Sequence, residues 1–461
     1  MHKTGSGESQ RRFNLSKQSA RSVVFELVSR VTFDEAYANL LSPKLLQRSG
    51  LDPRDRGLVQ ELGYGTIRWT QTLTKIIEVA SSRSESQIDK HGLVLLRMGV
   101  YQLLRTRIPK HAAINETVEL AKELGYSKLS GFINAVLRKV AEHDFETWLA
   151  KLSQKLTDAT AILALKYSHP EWVITALKLA LRADARENEL EELLAADNTP
   201  SAVNLVLLPG RSERLVADLH QHRSSPLAYE LSSEIELSKA LESGNLRVQD
   251  AGSGLCAKLL VDAKHVASSE TWLDLCAGPG GKAVLLAAFA AQQDVNLTCI
   301  EPIEARAQLI SKALEKSHLK AKVLTADGRT LTGKYDRILV DAPCTGLGAL
   351  RRRPESRYRR QQQDLTDLTK LQKELLSNAW NMLKPGGVLV YSTCSPHPAE
   401  TTAAVESLLK QAGPSAELLD AWKLLDLANV KPNVERKTLQ LWPHVHQTDA
   451  MFAAVLVKSL T

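Results

Sequence analysis

The stretch Leu273-Asp274-Leu275-Cys276-Ala277-Gly278-Pro279-Gly280-Gly281-Lys282 decides the fold of this chain. A short apolar run breaks into a glycine-rich loop, and a mostly apolar segment follows from Gly281, which is the pattern of a buried strand turning into a helix. Glycines there let the backbone approach a ligand closely, and the helix N-terminus offers unpaired N–H groups. Gly278, Gly280 and Ala283 satisfy the dinucleotide fingerprint, and Glu301 stands at the end of the next strand, where it would hold both hydroxyls of a ribose. The fingerprint alone fits a nicotinamide-dependent dehydrogenase and a methyltransferase equally.

Working outward, strands are expected over residues 272–275, 297–300, 322–324, 337–340 and 388–392, with helices from Gly281 and Glu304 and a long helix over 364–382. This alternation predicts an α/β fold with a doubly wound, mostly parallel, Rossmann-like sheet. Upstream, from about Ser16 to Leu149, apolar residues recur at three and four, as in Val23, Val24, Leu27, Val28 and in Leu93, Leu96, Val100, Leu103. That spacing predicts an all-helical domain. A second helical stretch runs to residue 196, with Pro170 in the first turn of a new helix. A strand over 201–208, a helix over 211–220 and a strand over 247–249 then make a small mixed insert. The expected division is a helical domain at 15–150, a helical linker with a small α/β insert at 151–250, and the sheet domain at 251–461.

The 461 residues, 44% hydrophobic and 24% charged, exclude a disordered or collagenous chain. The net charge is +7, of which residues 1–150 carry +6, 151–300 carry −5 and 301–461 carry +6. Two basic regions around an acidic middle fit a polyanion that touches both ends of the chain. The segment from Met1 to Phe13 is polar, and no apolar run reaches the length of a membrane span, so a cytoplasmic protein without a membrane partner is expected. The five cysteines, Cys256, Cys276, Cys299, Cys344 and Cys394, are an odd number without zinc-site spacing. Reduced thiols and no metal are expected.

Asp274 stands just before the glycine loop, where it would repel a pyrophosphate but attract the ammonium and sulfonium end of S-adenosylmethionine. Asp327, after the third strand, would accept a hydrogen bond from an adenine amino group. Each also fits a cap or turn residue. Asp341-Ala342-Pro343-Cys344 follows the fourth strand and Ser392-Thr393-Cys394-Ser395 the fifth. Ligands of open α/β sheets bind at the carboxyl ends of the strands, so two thiols and a carboxylate converge on the cofactor's methyl. Cys256 and Cys299, inside apolar segments, read as core. Cytosine supplies the chemical reason for the thiols: its carbon 5 is too weak a nucleophile until a thiolate adds to carbon 6. Asp341, with a pKa raised by burial, would hydrogen-bond the ring N3. Lys282 would lower a thiol pKa or steady the base, or simply face solvent at the helix start.

In this order, the C-A-G-P-G-G-K, D-A-P-C and S-T-C-S segments resemble the RNA cytosine-5 methyltransferases of the Sun/NOP2 class, also called the RsmB/NOP class. Asp55-Arg56-Gly57-Leu58-Val59 followed by Gly63-Tyr64-Gly65-Thr66-Ile67-Arg68-Trp69 is similar to the NusB-type RNA-binding domain of the branch that modifies bacterial 16S ribosomal RNA. Tyr167-Ser168-His169-Pro170 and Val248-Gln249-Asp250 fit that branch too. The resemblance spans residues 15 to 460. It implies a cytosine-5 methyltransferase with Cys394 as nucleophile and Cys344 as the product-releasing cysteine. It also implies S-adenosylmethionine contacts at Cys276, Ala277, Gly278, Pro279, Gly280, Gly281, Lys282, Glu301, Asp327 and Asp341. The implied partner is 16S ribosomal RNA, with no DNA, acted on by a monomer. Glu301 replaces a usual aspartate and keeps the carboxylate, Ala283 replaces a threonine, and Thr402 replaces an asparagine. The last departure leaves Glu400 without an assigned role.

His444 and His446 resemble the closing segment of that class and are expected as a polar wall of the substrate cleft. Residues 351–360 hold six arginines just after Cys344 and are expected to contact RNA, Tyr358 with them. Methylation of transfer RNA, and a non-catalytic RNA-binding assembly factor, stay open as alternatives.

Overall fold

The computed structural model describes residues 18–231, 241–427 and 430–460, so the expectations for Met1 to Phe13 and for a helical start near Ser16 lie outside the described residues. The chain divides into two compact units, Met1–Ser168 and His169–Thr461.

The first unit is helical throughout its described residues, with helices including Ala20–Phe33, Pro53–Arg68, Thr70–Ser81, Lys90–Arg105 and Ser130–Val140. Local chemistry sets their starts. Ser19, Asp52, Asp89 and Asp144 each accept a backbone N–H in the first turn, and Pro53 occupies the position where a missing N–H costs nothing. The apolar stripes meet in one core that includes Val24, Leu27, Leu73, Ile76, Leu95 and Leu137. Gly65 explains part of the Gly63–Trp69 motif: a Cβ there would lie 2.0 Å from the Tyr101 ring, so only glycine lets these two helices touch. Tyr101 donates to Glu61 at 2.6 Å across the same contact. Helices Phe145–Ser153 and Ala159–Tyr167 belong to this unit, and Thr72 ties the second of them in by donating to the Leu165 carbonyl at 2.6 Å.

The second unit opens with helices Glu171–Ala183 and Leu190–Asn198. Strands β1 (Asn204–Leu207), β2 (His220–Gln221), β3 (Ala228–Glu230) and β4 (Leu246–Val248) form an antiparallel sheet in the order β2-β3-β1-β4. The helix expected over 211–220 is not there. Gly210, at φ +77, turns the chain into a single 3-10 turn, Glu213–Val216, and pairing of His220 with Glu230 then draws the segment into a strand.

Strands β5 (Thr271–Asp274), β6 (Asn296–Ile300), β7 (Lys322–Leu324), β8 (Tyr335–Asp341) and β9 (Leu383–Thr393) run parallel. With β10 (Ala416–Leu419), β11 (Leu439–Gln440) and β12 (Phe452–Lys458), which pair antiparallel, they make an eight-stranded sheet among the described residues. Its order is β10-β12-β9-β8-β5-β6-β7, with β11 on β12. Helices Ala251–Asp262, Gly281–Gln292 and Glu304–Lys316 cover one face; Asp364–Met382 and Thr402–Ala412 cover the other. The parallel strands are therefore continuous apolar runs, as burial on both faces demands. Strand order reverses between β5 and β8, and at such a switch the carboxyl ends of the strands leave a crevice. The loops after β5, β8 and β9 open there. No helix among the described residues is long and apolar enough to cross a membrane.

Candidate active site

The glycine loop comes first. Past β5 the backbone still pairs with both neighbouring strands, Leu275 N–H with Leu339 O at 2.9 Å and Ala277 N–H with Ile300 O at 2.8 Å. It then breaks away, and Gly280, at φ +106, starts helix Gly281–Gln292. A Cβ on Gly278 would lie 2.0 Å from Glu301 Oε2, so the missing side chain is what lets that carboxyl sit under the loop. Glu301 is buried at the end of β6, accepts the Ile303 N–H at 3.1 Å, and faces Arg306 at 3.2 Å, which also donates to the Gly278 carbonyl.

Asp274 is fully buried, and neither of its carboxyl oxygens has a hydrogen-bond partner among the described residues. The Cys276 amide lies near enough to favour the charged form but not to bond. Burial, and next the charge of Asp341, push the Asp274 carboxyl up to about 7. An unsatisfied buried carboxyl is costly, and an arriving cation removes the cost. Together with the cradle at Gly278 and the buried Glu301, this donor set fits the ammonium and ribose of S-adenosylmethionine.

Asp327 stands apart at the end of β7. Its carboxyl is half exposed and accepts hydrogen bonds only from Arg329, among the described residues, through the backbone N–H at 2.9 Å and the guanidinium at 2.6 Å. Those bonds hold its pKa below the ordinary carboxylate value.

The loops after β8 and β9 bring the remaining candidates together. These strands are parallel neighbours with Asp341 opposite Ser392. Cys344 Sγ lies 3.4 Å from Cys394 Sγ. Lys282 Nζ pairs with Asp341 Oδ2 at 2.8 Å, and Ser392 donates to Asp341 Oδ1 at 2.9 Å. Asp341 is partly open where a buried acid was expected, and Lys282 reaches it from the helix that the glycine loop starts. Burial lowers the Lys282 pKa and the Asp341 charge raises it; the net is upward, so the ammonium persists. The two thiols split. The hydrogen bond from Cys344 pulls the Cys394 pKa down against burial, with help from the Arg353 charge. The same bond, then burial, pushes Cys344 far up. The difference favours the charge on Cys394 over Cys344. Cys256 and Cys299 are fully buried in the core, as expected, and burial pushes Cys256 up to about 12.

Sequence reasoning leaves Glu400 without a role and passes over Thr345 and Gln372; the three knit the thiol loops from behind. Thr345 donates its N–H to Glu400 Oε1 at 2.8 Å and its hydroxyl to Oε2 at 2.5 Å. The signals were the adjacency of Thr345 to Cys344 and the family-like segment around Glu400.

Of the six arginines expected at RNA, three are engaged internally. Arg357 is fully buried and donates to Asn198 Oδ1 at 2.9 Å; Arg351 donates to the Gln447 carbonyl at 2.9 Å; Arg352 pairs with buried Asp449. These three arginines knit the unit internally. The histidines are corrected likewise. His446 is buried, accepts the Trp442 N–H at 2.8 Å, and burial drops its pKa to about 4; His444 pairs with Glu189 at 2.9 Å. His446 secures its own turn and His444 ties that turn to Glu189.

Parallel sheet, glycine loop, unpaired Asp274 and paired thiols define an S-adenosylmethionine-dependent methyltransferase. Residues 263–457 match the family described as 16S rRNA methyltransferase RsmB/F, and residues 18–142 match the NusB family. A Mycobacterium tuberculosis protein whose name marks it a candidate methyltransferase is 42% identical, over 95% of this chain and 96% of its own. The ribosomal RNA small subunit methyltransferase B of Vibrio vulnificus is 31% identical, over 96% of this chain and 99% of its own. The crystal structure of PH0851 shares the fold at a TM-score of 0.78 and 19% identity, covering 96% of this chain and 99% of that one. The chain belongs to the RsmB/F family of RNA methyltransferases, with a NusB-like helical region ahead of its methyltransferase sheet.

Proposed function

We propose that this chain methylates carbon 5 of a cytidine in 16S ribosomal RNA, with Cys394 as the covalent nucleophile. The observation that carries the reading is the 3.4 Å approach of Cys344 and Cys394 beside the Lys282–Asp341 pair. A single thiol would serve for packing; a thiolate with its own donor, next to an acid pair, suits addition and elimination at one ring.

S-adenosylmethionine, with its ammonium at Asp274 and its ribose at Glu301, supplies an electrophilic methyl group to carbon 5. The chain's residues do the rest. The target base leaves its stack to reach the crevice. Cys394 Sγ bonds to carbon 6 while the Lys282–Asp341 pair supplies a proton at N3, which neutralises the ring as it accepts the sulfur's electrons. After methylation the carbon 5 proton passes to water, the carbon 6–sulfur bond breaks, and the N3 proton returns to the acid pair. The Cys344 thiol donates to the departing sulfur and restores the starting pair.

Support for ribosomal RNA comes from the named relatives and from the basic, NusB-like first unit. Mapping 5-methylcytosine in a deletion strain tests it. One 16S position should lose the mark and regain it with the wild-type gene but not with Cys394→Ala. Loss from transfer RNA alone would overturn the ribosomal target, and rescue by Cys394→Ala would overturn the covalent step.

A further inference from the structure

We propose that Glu400 is a positioning residue for product release, holding the Cys344 loop at its working distance from Cys394. The assignment rests on the covalent reading above.

Glu400 is fully buried in the turn Pro398–Glu400 behind β9. Its carboxyl takes hydrogen bonds from Thr345 N–H at 2.8 Å, from the Thr345 hydroxyl at 2.5 Å and from Gln372 Nε2 at 3.1 Å. Gln372 Nε2 also donates to the Pro343 carbonyl at 2.8 Å. The residues immediately before and after Cys344 are thus both anchored to one carboxyl, directly or through one amide. The Thr345 hydroxyl also lies 3.0 Å from Ser395 Oγ, the neighbour of Cys394, so the clamp spans both thiol loops.

Cys394 depends on the clamp far less. It directly follows the end of β9, and its carbonyl accepts the Gly348 N–H at 2.8 Å. Glu400 itself is fixed by the Tyr391 hydroxyl, which donates to its carbonyl at 2.7 Å. Among the described residues no cation pairs with Glu400. A carboxyl buried against neutral donors alone is costly compared with apolar packing. The three bonds converging on the flanks of Cys344 are what an apolar side chain could not provide. Loss of the clamp frees Cys344, which then loses its place as donor, while β9 still places Cys394, so methyl transfer slows less than release.

The test compares wild type, Glu400→Gln, Thr345→Val, Thr345→Ser and Cys344→Ala as full chains, incubated with a 16S transcript and methyl-labelled S-adenosylmethionine. Protein–RNA adduct that survives detergent and free methylated RNA are both counted. Cys344→Ala should trap adduct. Glu400→Gln and Thr345→Val should slow single-turnover methylation less than release, accumulate adduct about tenfold over wild type and slow release about tenfold, and Thr345→Ser should restore release. Thr345→Val exchanges only the hydroxyl for a methyl and decides the matter should Glu400→Gln not fold. Wild-type release in both variants overturns the assignment. Loss of methylation and adduct together, in variants that melt like wild type, also overturns it. If Cys344→Ala traps nothing, the covalent reading falls and this assignment falls with it. Trapping by Cys344→Ala alone sinks only the role given to Glu400.

Discussion

Cys344 Sγ stands 3.4 Å from Cys394 Sγ, and the bond between them acts on the two thiols in opposite directions, lowering the Cys394 pKa and raising that of Cys344. Two chemically identical side chains, placed after adjacent strands, are pushed in opposite directions by their surroundings.

Alkylation should report that asymmetry. Iodoacetamide at neutral pH is expected to label Cys394 before Cys344, because the thiolate is the reactive form. The Cys344 hydrogen bond is the largest influence lowering the Cys394 pKa, so Cys344→Ala should move the labelling profile of Cys394 to higher pH. Peptide mapping across a pH series checks both statements.

Asp274 gives a pH dependence of opposite sign to a paired carboxylate. Its folded-state pKa, about 7, exceeds the ordinary 3.8, so the stability tied to its neutral form is complete below the ordinary value and is lost as pH rises through the folded one. Without cofactor the wild type should therefore lose stability between those limits, and Asp274→Asn should not. The variant should bind S-adenosylmethionine more weakly by about tenfold or more, equivalent to about 1.4 kcal/mol, for want of a charge to meet the ammonium. Melting scans with and without cofactor, and calorimetric titration, separate the two effects.

Within the arginine run, position decides the phenotype. Arg352→Ala leaves Asp449 buried without its partner and should destabilise the chain by about 2–3 kcal/mol in a denaturant titration. Arg353→Ala should leave the fold intact and slow Cys394 alkylation at neutral pH, since the Arg353 charge favours the thiolate. Equal melting of the two variants would contradict the assignment.

In the first unit, Gly65→Ala pushes a methyl to within 2.0 Å of the Tyr101 ring. Overpacking of that kind should cost about 1–3 kcal/mol, read as a lowered unfolding midpoint.

Much of this was legible in the chain. The helix Asp364–Met382 and the strand Lys322–Leu324 begin and end where apolar spacing and turn residues place them. The loops after β5, β8 and β9 are legible because each follows an apolar run that only a buried parallel strand explains. What stayed hidden depends on partners remote in sequence. Arg357 reads as an RNA contact until Asn198, 159 residues away, is folded against it. His444 suggests a cleft until Glu189, 255 residues away, takes its ring nitrogen. Glu400 and Thr345 meet across 55 residues, and no local pattern announces a carboxyl buried against a backbone N–H. Local propensity sets elements; it does not set which polar groups become each other's solvent.

The central claim is a carbon 6–sulfur bond between the target cytosine and Cys394. Its most direct measurement is mass spectrometry of the adduct trapped by Cys344→Ala after digestion with ribonuclease and protease. The account predicts one crosslinked peptide, carrying a methylated cytidine nucleotide on Cys394. A nucleotide on any other residue, or an adduct that forms equally well when Cys394 is alanine, would contradict it.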